Sequence, residues 1–111
     1  MIEIIIKQYL DGHLSVPSFL EQTGRMPDSY VLFEKTGSSK RNYLSSSTFA
    51  FQSYAGSMYD AAKLNEELKE VVENMIGLDE ISNVQLNSDY NFTDTTTKEY
   101  RYQAVFDINH Y

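Results

Sequence analysis

The stretch from Ser57 to Tyr111 constrains the fold most, because two different hydrophobic periods follow one another in it. Ala61, Leu64, Leu68, Val71 and Met75 recur at steps of three and four, which places all five on one face of an α-helix. That face has to be buried. Val84, Leu86, Tyr90 and Phe92 then fall on even positions, as do Tyr100, Tyr102, Ala104, Phe106 and Ile108, with mostly polar residues between them. This is the period of half-buried strands. Ser57 is placed to cap the helix, with Asp60 where a capping box has its acidic partner, and Gly77 is placed to stop it in a left-handed conformation. The pattern predicts a long amphipathic helix over 57–76 and then two strands joined by the polar loop Thr93-Asp94-Thr95-Thr96-Thr97-Lys98.

The first half reads as a short helix followed by strands. Ile2, Ile5, Ile6, Tyr9 and Leu10 keep a helical spacing, with Gly12 expected to end that helix. Val16 to Glu21 is expected to form a short edge strand, since Pro17 lacks the N–H that a central strand needs. Gln22 to Ser29, with Gly24, Pro27 and Asp28, reads as a loop. Tyr30 to Lys35 is a compact strand, Thr36-Gly37-Ser38-Ser39-Lys40 a turn, and about Tyr43 to Tyr54 the returning strand. The serines at 45–47 leave two readings open, a paired strand or one that projects beyond the core. Helix, three strands, helix and two strands together predict one α+β domain over 1–111, a mainly antiparallel sheet of about five strands with both helices packed on it.

Charge and composition narrow the function classes. The 111 residues suffice for one core without metals or cross-links. The absence of cysteine removes thiolate chemistry, disulfides and Cys-based metal sites, and an intracellular, soluble chain is expected. The Ile2, Ile4, Ile5 and Ile6 cluster is too short for a membrane span and lacks the marks of a signal peptide, so no membrane partner is expected. The net charge of −7 argues against general nucleic-acid binding, and no direct sequence-specific nucleic-acid partner is expected. All of that net charge lies in residues 57–111, where eleven acids face four bases, while residues 1–56 balance five against five. Such a split reads either as a solvated helix face or as complementarity between copies packed head to tail.

Chemistry finds little purchase. His13 and His110 are the two neutral-pH acid–base candidates, and both read as ordinary surface histidines, the second near a chain end where order is often poor. The serines at 45–47 lack a nucleophile elbow, and Gly37-Ser38-Ser39-Lys40 lacks the spacing of a phosphate-binding loop. Asp89, Asp94 and Asp107 could converge, but they match no calcium-binding loop and read as solvated carboxylates. No catalytic residue, metal or cofactor is expected. Nine tyrosines and six phenylalanines are many for this length, and aromatics serve both cores and interfaces.

The opening Met1-Ile2-Glu3-Ile4-Ile5-Ile6 helix, the strand Ser29-Tyr30-Val31-Leu32-Phe33-Glu34-Lys35-Thr36-Gly37, and the strand-to-helix run Phe49-Ala50-Phe51-Gln52-Ser53-Tyr54-Ala55 form a recognisable text. It continues with Ala61-Ala62-Lys63-Leu64-Asn65, Leu86-Asn87-Ser88-Asp89-Tyr90-Asn91-Phe92 and Tyr100-Arg101-Tyr102-Gln103-Ala104-Val105-Phe106. Together, over nearly the whole chain, these segments resemble the small tail-terminator and tail-completion proteins of long-tailed bacteriophages and prophages. The resemblance implies a virion structural protein, present in the host cytoplasm during assembly, that forms a ring, commonly of six copies, on the end of the tail tube. Such a ring stops tube growth and prepares head–tail joining, so its implied partners are itself, the tail tube and the head–tail connector proteins. The family has no active site to carry over. Interface candidates therefore come from the exposed hairpins: Lys40, Arg41, Asp94 and Lys98. The alternatives are another head–tail connector component or, from a different class, a small-ligand enzyme or binding domain, which a pocket holding His13 beside a carboxylate would favour.

Overall fold

Two helices lie on one face of a five-stranded sheet in the computed structural model, which describes residues 1–41 and 43–111. The elements are α1 (Ile2–His13), β1 (Ser18–Phe19), β2 (Tyr30–Arg41), β3 (Leu44–Ala55), α2 (Met58–Glu73) with a single 3₁₀ turn (Asn74–Gly77), β4 (Ile81–Asn91) and β5 (Tyr100–His110). The strand order is β1-β2-β3-β5-β4. Every neighbouring pair is antiparallel except the two-residue edge strand β1, which runs parallel to β2. The fold is α+β, as the order of hydrophobic periods predicts.

The helical spacing places α1 correctly: Ile2, Ile6 and Leu10 are buried, while Ile4 is left outside. Gly12 does not end it. The helix continues to His13, and the chain leaves at Leu14, which turns extended while its N–H bonds the Leu10 carbonyl. In α2 the Ser57 hydroxyl accepts the Asp60 N–H at 3.1 Å, as a cap should. The buried arc runs through Ala61, Leu64, Asn65, Leu68, Val72 and Met75, so it is turned slightly from the predicted one. Val72 is in the core and Val71 flanks it, with the Val71 carbonyl accepting the Tyr9 hydroxyl from α1 at 2.9 Å. Gly77 is not left-handed. The helix instead tightens into its 3₁₀ turn, which tucks Met75 under the sheet before Leu78 goes extended.

The turn expected at Thr36 to Lys40 is strand. β2 runs through it to Arg41, and the hairpin reverses between the paired residues Arg41 and Leu44, next to Tyr43 in a left-handed conformation (φ 67°). Gly37 marks a bulge, not a turn: the register shifts between Lys35 and Gly37, then resumes as Gly37↔Thr48. The serines at 45–47 are paired on both sides, with Lys40, Ser39 and Ser38 on β2 and with His110, Asn109 and Ile108 on β5. His110 is likewise held in a strand, its Nε2 2.9 Å from the Ser47 hydroxyl.

Alternation assigns the faces. Val31, Phe33, Phe49, Phe51, Ala104, Phe106 and Ile108 point to the helices, where four phenylalanine rings pack at centroid distances of 5.6–6.2 Å. In β4 the predicted face splits. A bulge between Leu86 and Ser88 reverses the alternation, so Val84 and Leu86 face the helices while Tyr90, opposite Gln103, faces away from them. Phe92, two residues on, follows Tyr90.

Leu68 is fully buried at the centre of the helix–sheet contact. Leu68→Ala is expected to cost about 2–5 kcal/mol, and Leu68→Asp to abolish the cooperative transition in thermal melts followed by circular dichroism. Glu67, half-buried and accepting two 2.8 Å hydrogen bonds from Ser15, is expected to tolerate change to Lys with the transition intact.

Candidate functional site

The four candidate residues separate into two groups at opposite ends of the sheet. Lys40 pairs with Ser45, Ser45 with His110 and His110 with Ile81, so one level row crosses the molecule at the end where β2 finishes. Asp94 and Lys98 lie in the connection between β4 and β5, at the end where Tyr100 pairs with Ala55. The strands between these ends span 11–12 residues, and the molecule's long dimension is 45 Å. A single site cannot include all four.

At the first end Lys40 points to the helix side of the sheet and Arg41 to the open side. Both are exposed, and neither makes an ion pair among the described residues. Arg41 sits with Ser39, Leu44, Ser46 and Asn109 around a shallow open groove.

At the second end the threonine-rich loop is organised by Asp94. Its Oδ1 accepts the Thr96 hydroxyl and N–H and the Thr97 N–H, and its own N–H bonds the Glu99 carbonyl at 3.2 Å. The Thr96 hydroxyl and the backbone N–H groups hold the Asp94 carboxyl below the usual carboxylate range. Asp94 thus shapes the loop, and Lys98, left-handed at φ 56°, is displayed by it.

Two further surfaces carry the chain's exposed chemistry. On the open face Arg101 lies 4.6 Å from the Phe92 ring centre and 5.6 Å from that of Tyr54, donates to the Tyr54 hydroxyl at 3.0 Å, and Tyr54 stacks on Tyr30 at 4.5 Å. Tyr54 donates to Gln52, Gln52 to Gln103, and Gln103 to Tyr90. Tyr90 and Phe92 remain 41% and 40% exposed. No sequence pattern announces this ladder, because it depends on the register that brings Gln52, Gln103 and Tyr90 level and on the bulge that turns Tyr90 toward it. The second surface is the flank of α2 beside β4. There Glu66, Glu67, Lys69, Glu70, Glu73 and Leu86 line a shallow depression. Lys69 is committed to Asp89 and Glu66, which raise its pKa, at 2.8 and 2.9 Å, and Glu67 to Ser15. Glu70 and Glu73 have no ion-pair partner among the described residues.

The remaining expectations resolve locally. His13 stacks on Tyr9 at 4.1 Å with Nδ1 2.8 Å from the Tyr9 carbonyl, so its ring caps its own helix. Asp89, Asp94 and Asp107 diverge: Asp89 faces α2, Asp94 is in the loop, and Asp107 accepts from Thr48 and Asn87 on the open face. Among the described residues no group of three or more His, Asp and Glu side chains is placed to hold a metal, and no helix is long and apolar enough to cross a membrane. No protein-family model matches the chain, and no curated protein matches it.

Because the Asp94 pKa is lowered in the fold, its ordering of the loop is complete above the usual carboxylate range and lost as pH falls through the depressed value. Amide proton shifts of Thr96 and Thr97, followed by NMR, are expected to move toward disordered positions in that acid window, and Asp94→Ala to show them so at neutral pH.

Proposed function

We propose that this chain is a virion-assembly protein of a long-tailed bacteriophage or prophage, a tail terminator that closes into a ring on the end of the tail tube and prepares the tail for the head. The resemblance of its segments to that family motivates the reading. The observation that carries it is the placement of charge: the bases Lys40 and Arg41 and the acids Glu70 and Glu73, none with an ion-pair partner among the described residues, lie on different sides of one small domain.

Surfaces of opposite charge that do not overlap favour contact between copies that is head to tail. A contact of that kind propagates, and it closes into a ring when the rotation between copies permits. The loop displayed by Asp94 and the end of the sheet where His110 pairs with Ser45 then lie on the two ends of each subunit, one available to the tail tube and the other to the connector. In a chain stacked this way the two ends of the sheet stay free while its sides are occupied.

Light scattering of the purified chain across protein and salt concentration tests this. The expected result is a mass several times that of one chain, six for the commonest ring of the family, which falls as salt screens the charges. A mass of one chain under every condition contradicts it.

A further inference from the structure

The sheet has two open edges, and they differ. β1 pairs only with Val31 and Leu32, so the outer edge of β2 is unpaired from Phe33 to Arg41. β4 has β5 on one side and, among the described residues, no strand on the other along all 11 of its residues. Long unpaired edges are templates for pairing with another strand. The residues of β2 from Glu34 to Arg41 are all exposed, so this two thirds of the strand contributes almost nothing to the core of its own subunit.

We infer that the outer edge of β2 over Gly37–Arg41 pairs with the outer edge of β4 over Ile81–Leu86 of a second copy, which continues one sheet from subunit to subunit. This rests on the ring reading above and gives it a contact. Copies standing side by side with the same end up bring β4 against the next copy's β2 running the opposite way, because the two strands are antiparallel within the sheet order of each copy. The level rows also match. Lys40 is level with Ile81, Ser39 with Asn83, Ser38 with Val84 and Gly37 with Gln85. The bulge in β2 ends just before this stretch, and the regular run Asn83–Leu86 lies between the two bulges of β4. Over Gly37–Ser39 and Asn83–Gln85 unbroken backbone therefore meets unbroken backbone at the same height, and the bulge between Ile81 and Asn83 falls at the level of Lys40.

Charge selects this pairing over its alternatives. Lys40 and Ser38 point to the helix side, where the neighbour's β4 is flanked by Glu70 and Glu73. Two β2 edges would set Lys40 and Arg41 against their own copies, and two β4 edges would set the α2 acids against theirs. Both symmetric pairings are penalised, and the unlike pairing remains. Lys35, held 3.5 Å from Glu3, and Lys69, held by Asp89 and Glu66, are already neutralised inside the subunit and leave this balance unchanged.

Hydrogen exchange of the full chain, read by mass spectrometry across a dilution series, tests the pairing. Amides of 37–41 and 81–86 are expected to slow at least about tenfold as the chain associates, while those of the 93–98 loop keep their rates. Association without slowing in both strands overturns the edge pairing and leaves the ring reading standing. A chain that remains a single copy at every concentration and salt overturns both.

Discussion

The structure depends on one contact, the packing of Leu68, Val72 and Met75 of α2 against the phenylalanine layer of β3 and β5. All three side chains are fully buried, as are Phe49, Phe51 and Phe106 beneath them. Each such burial contributes about 1.5–3 kcal/mol before the entropy of ordering is subtracted. Both helices bury their apolar faces on the same side of the sheet, so the other side has no helix over it. That side is filled instead by groups that satisfy one another, Gln52 with Gln103 and Tyr90, and Arg101 with Tyr54 and the Phe92 carbonyl at 2.8 Å. A sheet covered on one face and short of strands at both sides necessarily presents edges.

Much of this was legible in the residues. The 3.6 period in 57–76 located α2, and Ser57 gave its true cap. The alternation in 100–108 located β5, whose Ala104, Phe106 and Ile108 are all in the core. What was not legible came from single inserted residues. A bulge shifts alternation by one, and nothing in Leu86-Asn87-Ser88 distinguishes it from regular strand, so the sequence pattern puts Tyr90 and Phe92 on the face of Val84 and Leu86 while the bulge turns them to the other. Gly37, Ser38 and Ser39 carry turn-forming composition, yet β3 supplies them a complete ladder and keeps them extended. Gly12 reads as a stop by residue type, whereas α1 runs one residue past it and leaves at Leu14; Gly77 does close the helical stretch that begins at Met58, but through a 3₁₀ turn and without the left-handed conformation its residue type suggests.

The interface candidates show the same division. Lys40 and Arg41 read from the sequence as residues of an exposed hairpin and lie at the tip of a strand edge, where the backbone's donors and acceptors accompany their charge. Asp94 was chosen for exposure, but its carboxylate is spent on Thr96 and Thr97. The acids that face outward beside an open edge, Glu70 and Glu73, were visible in the sequence only as part of an acidic helix. Their significance comes from α2 lying against β4, a relation between elements that no local pattern encodes.

The same helix thus serves the core with one face and offers charge with the other, so its outer acids can be changed without disturbing Leu68 or Val72. Native mass measurement of two charge-altered chains uses this separation: one carrying Ser38→Glu and Lys40→Glu, the other Glu70→Lys and Glu73→Lys. Each alone sets like charges at the contact and is predicted to stay a single copy, whereas an equimolar mixture restores unlike charges at every contact and closes into rings with strictly alternating, even numbers of the two. Altered chains that assemble alone to the same mass as the unaltered chain, or a mixture that stays dissociated, would contradict head-to-tail contact through these surfaces.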